Sequence, residues 1–283
     1  MTFRRLLFAP LLLAGFSVPL HAQCSDAGVC SIGGGHEPEG MVALSADYSF
    51  GSSGSPDDLR FHSVQVSASI TIPSIARMSV SLPFNSQSGP LGSVSGIGDL
   101  TVVFSRSLLA FGPGELDLQI GGKVALAEVN AGGLPQAYQS GLGSNDLLAG
   151  LHFRLSGFNA AVAWQAPFGR SENAITRLKR GDDLLLRAGY SHTVDSWTAG
   201  GEVLLIKRLQ ESTVLDTTAA PGTFRSVPGS DQAQINIVGR ASWAISANVE
   251  LTAMIAVPLL KRDVNIDGLT RALTLSTGLS LSL

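Results

Sequence analysis

The feature that most constrains this chain is an alternation of apolar and polar residues, period two, that begins at Val42 and returns segment after segment to Leu283. From Val42 to Phe50 the apolar positions are Val42, Leu44, Ala46, Tyr48 and Phe50, with Ser45, Asp47 and Ser49 between them. Val64, Val66, Ala68, Ile70 and Ile72 repeat the pattern against Ser63, Gln65, Ser67, Ser69 and Thr71. Successive side chains of a strand point to opposite faces, so each segment has one greasy face and one wet face. Further segments near 75–84, 98–109, 115–127, 144–154, 157–167, 182–192, 196–207, 231–243, 248–258 and 270–283 read the same way, which predicts about 12 strands. None of these stretches carries the 3.6-residue period of a helix.

A soluble sandwich also alternates, so periodicity alone leaves two architectures open. Connection lengths separate them. The links at Pro73–Ser74, Phe111–Gly114, Leu155–Ser156, Thr193–Asp195 and Ala244–Ala247 are short. Those at 51–61, 85–97, 128–143, 168–181, 208–230 and 259–269 are long, and the two kinds alternate strictly. Strands of about 10 residues, short turns on one side and long loops on the other describe a transmembrane antiparallel up-and-down β-barrel with both termini in the periplasm. Aromatic placement gives an independent test. On the outward phase Phe153, Phe158, Tyr190, Trp197 and Trp243 lie beside short turns, and Tyr48, Phe50, Phe84 and Phe168 lie beside long loops. Those are the two interfacial girdles of a membrane barrel.

The first residues fit export. Arg4 and Arg5 precede an apolar run from Leu6 to Phe16, then Pro19 and the small Ala22, which predicts a secretory signal peptide over 1–22. A periplasmic N-terminal segment, 23–40, and the barrel, 41–283, follow. Cleavage removes two of the 19 basic residues and none of the 22 acidic ones, moving the formal charge from −3 to −5. No basic footprint for nucleic acid remains. Cys24 and Cys30 are the only cysteines, and an oxidising periplasm favours a small bridged loop over free thiols. A metal site there would need more ligands than the nearby His36 supplies. Neither a metal nor a cofactor is expected. The expected setting is the outer membrane of a Gram-negative bacterium, with membrane lipid, the barrel assembly machinery and a small-molecule solute as partners.

By phase, Arg77, Lys123, His152, Arg154, Arg187, Glu202, Arg240 and Glu250 face the lumen. So do Asp47, Glu115, Asp117, Asp146 and Asp183. Such a wall is too polar for a dry core. It reads either as a lined passage that filters solutes or as braces paired across strands. If β-strands 182–192 and 196–207 turn about Val194 and Asp195, the opposed residue numbers sum to 389 and Arg187 faces Glu202. A turn near Ile245 would bring Arg240 close to Glu250. For an outer-membrane lipase, a serine and an orienting group must lie within reach of a histidine. His152 has inward phase, with Asp146 or Arg154 on the same face, but no evident serine, and His192 follows Ser191 on the opposite strand face.

Several strands descending from long loops begin with glycine and then aspartate: Gly96-Ile97-Gly98-Asp99-Leu100, Gly141-Leu142-Gly143-Ser144-Asn145-Asp146-Leu147 and Gly181-Asp182-Asp183-Leu184. Strands follow, not helices, so these are not phosphate cradles. Glycine is expected to supply positive φ at the bend, and aspartate to satisfy local donors and keep the strand top wet. The first two segments resemble the outer-membrane family associated with the meta-cleavage pathway of phenol degradation, a family of small-molecule transporters. The resemblance covers most of 41–283 in architecture and those segments in motif. It implies a porin-like barrel passing a small aromatic or hydrophobic solute by passive diffusion or facilitated transport. Barrels of this kind commonly end in an aromatic residue, whereas this chain ends in Leu283. The alternative readings are a structural or surface-interaction barrel that transports nothing and, third, the lipase. Cysteines substituted at Ser140 and Ser226, in long loops, are expected to react with a membrane-impermeant thiol reagent on intact cells; labelling confined to the short turns would invert the topology.

Overall fold

A computed structural model describes residues 41–55 and 57–283. The expected signal peptide over 1–22, the 23–40 segment and the cysteine pair lie outside the described residues. Twelve strands close into an antiparallel ring: β1 (Val42–Ser52), β2 (Arg60–Ile72), β3 (Ala76–Gly89), β5 (Leu100–Phe111), β6 (Gly114–Val124), β7 (Asn145–Leu155), β8 (Phe158–Phe168), β9 (Asp183–Val194), β10 (Trp197–Arg208), β13 (Ala233–Ala244), β14 (Val249–Leu260) and β15 (Leu273–Ser282). Each pairs with its neighbours in sequence order, and β1 pairs with β15 to seal the ring. Val42 and Leu283 exchange backbone hydrogen bonds at that seam. Three short strands lie in the loops. β4 (Gly92–Ile97) folds back on the top of β3, and β11 (Thr213–Leu215) pairs with β12 (Phe224–Ser226) in a separate hairpin.

The tight turns explain why sequential strands pair. Ser156 and Gly157 have φ of 48° and 86°, the mirror-image turn whose twist matches the strands it joins. Asp195 takes φ 52°, so the β9–β10 turn centres on Asp195–Ser196 and β-branched Val194 stays extended. This corrects the expected register. Trp197 faces Val194 and Leu204 faces Arg187, so opposed numbers sum to 391 instead of 389. The slip is two residues, which keeps every side chain on its face. The β13–β14 turn also moves. Ala244 faces Glu250 and Arg240 faces Met254, because Ser246 to Asn248 make the bend instead of Ile245.

Polarity is inverted relative to a soluble sheet. Val66 is 57 % exposed on the outer face, whereas Ser63 is 2 % exposed on the inner one. Ile70, Ile237, Ile255 and Leu279 are likewise exposed. An apolar surface of this extent is stable only against hydrocarbon. Its lower edge carries a run of rings: Phe111 on Phe153, Phe153 on Phe158, and Trp197 stacked on Trp243 at 5.3 Å across the β10–β13 pair. Phe84 and Phe168 are exposed at the upper edge, and Tyr48 and Phe50 pack on His62. The protein is an outer-membrane β-barrel, as the alternation predicts.

Inside, the wall is uneven. Leu148, Leu185, Leu204, Ile206 and Val238 project inward from β7, β9, β10 and β13 and bury one another. The wall formed by β1, β2 and β3 carries Ser45, Ser49, Ser63, Ser67, Ser79 and Ser81 instead. Ser226 in the β12 arm is exposed, but Ser140 is 3 % exposed. Of the two proposed labelling sites, a cysteine at Ser226 is expected to react on intact cells, while one at Ser140 stays protected until the outer mouth is unfolded.

Candidate functional site: the lumen and its outer cap

The segment between β6 and β7 does not stand out in solvent. It crosses the outer mouth through two single-turn 3-10 segments, Ala131–Gly133 and Gln136–Tyr138, and docks on loops spaced around the ring. Toward β3 and β4, Asn85 Nδ2 donates to Ser140 O and Gln87 Nε2 to Gln139 O, both at 2.5 Å, and Ser140 Oγ donates to Ile97 O at 3.0 Å. Toward the β8–β9 loop, Asn173 Nδ2 donates to Val129 O and Leu134 O, and Ser171 Oγ bonds Gln136 Oε1. Toward the β14–β15 loop, Ala137 lies against Gly268. Leu59, Phe61 and Tyr138, with Leu134 and Ala137, give the cap a small apolar core. The Arg271 guanidinium stacks over the Phe61 ring at 3.4 Å, a cation–π contact beneath that core.

The glycines of the sequence motif serve this cap. Of Gly96, Gly98, Gly141, Gly143 and Gly181, positive φ is found at Gly143, at 63°. A Cβ at Gly98 would meet Ser140 O at 3.0 Å and Pro83 Cγ at 2.8 Å, and one at Gly141 would strike Asp99 Oδ1 at 2.5 Å. Close approach of two chain segments, more than backbone handedness, therefore fixes these positions.

The aspartates are corrected as well. Asp99, Asp146 and Asp183 are buried rather than wet. They form the acidic rungs of a charge ladder at the outer end of the barrel. Lys123 Nζ lies 3.5 Å from Asp99 and 3.0 Å from Asp146. Arg180 lies 3.2 Å from Asp146 and 3.8 Å from Asp183. Arg208 grips Asp183 with two 3.0 Å hydrogen bonds and reaches Asp267 at 2.8 Å. Asp99 also accepts Leu142 N at 2.8 Å and Ala127 N at 3.3 Å, which ties the cap to the ladder. Burial alone would push the Asp267 carboxyl up. The guanidiniums of Arg208, Arg262 and Arg180 more than offset that and hold it well below the usual carboxylate range.

Nearer the periplasm a second set braces the wall. Arg154 binds Glu115 at 2.7 Å and Asp117 at 2.8 Å, and His152 Nδ1 lies 3.3 Å from Arg154 Nη1. Glu202 takes both Arg187 at 3.6 Å and Arg240 at 3.0 Å. Arg187 and Glu202 thus meet diagonally, and Arg240 joins Glu202 across β10–β13, where a turn at Ile245 would have sent it toward Glu250. Arg77 Nε donates to Thr71 Oγ1 at 2.9 Å. Between cap and periplasmic turns lies a cavity of about 820 Å³, lined by Arg77, Lys123, His152, Arg154, Glu202, Arg240 and Glu250 among others. Arg187 lies behind it.

Sequence reasoning missed Arg180, Arg208, Gln136, Gln139 and Asp267. The β9–β10 register of 391 would have placed Arg208 opposite Asp183. The buried glutamines carry no such signal, because a polar loop residue becomes internal only when its loop folds inward.

Among solved structures, the chain resembles an outer membrane channel from Pseudomonas putida F1, at 15 % identity over 87 % of this chain and 96 % of that one, with a TM-score of 0.64. It also resembles the NanC porin, at 8 % identity over 86 % and 100 % of the two chains, with a TM-score of 0.50. No protein-family model matches the chain, and no curated sequence does either. At these identities the likeness is one of fold, a twelve-stranded outer-membrane barrel.

Replacing Asp183 by Asn leaves the buried Arg208 fork with Asp267 as its remaining carboxylate and strips Arg180 of one partner, and is expected to lower stability by about 3 kcal/mol, read from thermal unfolding in detergent. Lys207→Ala, which breaks the half-exposed pair with Asp231, should change it by less than about 1 kcal/mol. Because the folded Asp267 pKa is depressed, its contribution is complete above the ordinary carboxylate value of about 4 and is lost as pH falls through the lower folded value. Acid unfolding that keeps the same pH dependence in Asp267→Asn as in the native chain would contradict that assignment.

Proposed function

We propose that the protein is a passive conduit through which a small solute crosses the outer membrane. The observation that carries this reading is the lumen itself: a cavity of about 820 Å³, lined by hydroxyls, charged side chains and apolar groups together, running from the periplasmic turns to the underside of the cap. Pockets of about 300–1,000 Å³ enclose drug-sized molecules, so the space suits a small solute and not a polymer coil. The surrounding charges are largely occupied with one another, which leaves the wall rigid. Val103, Met254, Leu142 and Leu269 add apolar patches among the hydroxyls. A small aromatic or amphiphilic molecule finds both kinds of surface there. The aromatic part of this reading rests on the sequence resemblance, and the conduit part on the architecture. The named lumen residues serve it as wall and filter: Lys123 beneath the cap, Arg187, Glu202 and Arg240 at mid-height, Arg77, Arg154 and Glu250 toward the periplasm.

The cap is then the narrowest part of the path. In planar bilayers the native barrel is expected to carry small single-channel currents. Replacing 131–140 with a short Gly/Ser linker should raise the conductance several-fold, and Gly98→Ala, which displaces Ser140, should raise it less. Equal conductance in all three would remove the cap from the path, and no current in any, with no uptake into liposomes, would remove the conduit.

A further inference from the structure

Asp47 stands midway along β1, on the far side of the ring from the braced wall of β6 to β10. Asp47 lines the cavity. The other carboxylates that line this space include Asp99, Glu202 and Asp267, and each of those lies against a basic side chain. Asp47 instead accepts a hydrogen bond at Oδ2 from Ser45 Oγ, at 3.3 Å, and no basic side chain among the described residues forms an ion pair with it. The surroundings are built for it nonetheless. Gly278 lies directly across the β1–β15 pair, and the space a Cβ would occupy there is taken by Asp47 Oδ1, with Thr252 Oγ1 alongside. Gln65 lies directly across on β2. The result is one carboxylate seated among neutral hydrogen-bonding groups, in a wall where Asp99, Glu202 and Asp267 each lie against a basic side chain.

An unpaired carboxylate at the edge of a low-dielectric wall attracts a cation and disfavours an anion. An ammonium group presents three donors and no acceptor. That complements a carboxylate with the hydroxyls of Ser45 and Thr252 beside it, because such bonds are charge-assisted. We infer that Asp47 is the lumen's recognition point for a positively charged group, and that the solute it favours is a primary amine with a small apolar body. Recognition at Asp47 rests on the conduit reading only for the passage that follows it; binding itself is measurable without transport.

The probes are n-hexylammonium and neutral hexan-1-ol, titrated by calorimetry into the purified full-length barrel in non-ionic detergent. Hexylammonium is expected to bind more tightly than hexanol, and Asp47→Asn to weaken the amine at least about tenfold while leaving hexanol unchanged. Gly278→Ala keeps the charge but displaces the carboxylate, and should weaken the amine as well. Heat-modifiable gel mobility confirms that each variant is folded, and Asp47→Ser replaces Asp47→Asn if the latter is not. Equal amine affinity in native and Asp47 variants, or no amine binding by the native barrel, overturns the inference. Amine binding that depends on Asp47 in a barrel that carries no current supports the recognition point and sinks the conduit instead.

Discussion

The structure depends on one constraint. Hydrocarbon offers no hydrogen bonds, so every backbone N–H and C=O at membrane depth must find its partner within the chain. Twelve strands satisfy this only if the first pairs with the last, and the β1–β15 ladder from Ala43–Ser282 to Ser52–Leu273 does so. Once the ring is closed, the period-two alternation has a single consequence: one phase meets lipid and the other is trapped inside. The apolar exterior, the aromatic edges and the polar lumen are therefore one fact expressed three times.

A closed polar interior has to deal with its own charges. At the outer end this chain strings Asp99, Lys123, Asp146, Arg180, Asp183, Arg208 and Asp267 into alternating contacts, so that each member between the two ends has an opposite charge on either side. Removing one member strands two neighbours, which makes the ladder cooperative. The cap rests on the same ladder through the two backbone N–H groups that Asp99 accepts. Wall rigidity and mouth closure thus share residues.

Much of this was legible in the sequence, for physical reasons. Lipid exposure writes period two so strongly that all twelve ring strands follow from it, and the asymmetry of turn and loop lengths gives the two sides of the membrane. Inward phase for Arg187, Glu202 and Arg240 follows too, since parity survives a two-residue slip. Pairing partners were less accessible. They depend on which residue takes the left-handed turn position, and Asp195, not Val194, does so. The cap was hidden altogether. Gly98 and Gly141 announced a special place, but glycine for close approach and glycine for positive φ look alike in sequence. Gln136 and Gln139 read as solvated loop until Ser171, Gln87 and the other partners are seen around them.

The apolar layer of Leu148, Leu185, Leu204, Ile206 and Val238 is buried on one flank of the barrel interior. None of the five lines the free space, whose wall along β1 to β3 is rich in serine instead. A molecule inside therefore meets a row of hydroxyls on that flank. The placement of its polar group, as well as its diameter, then governs how it moves.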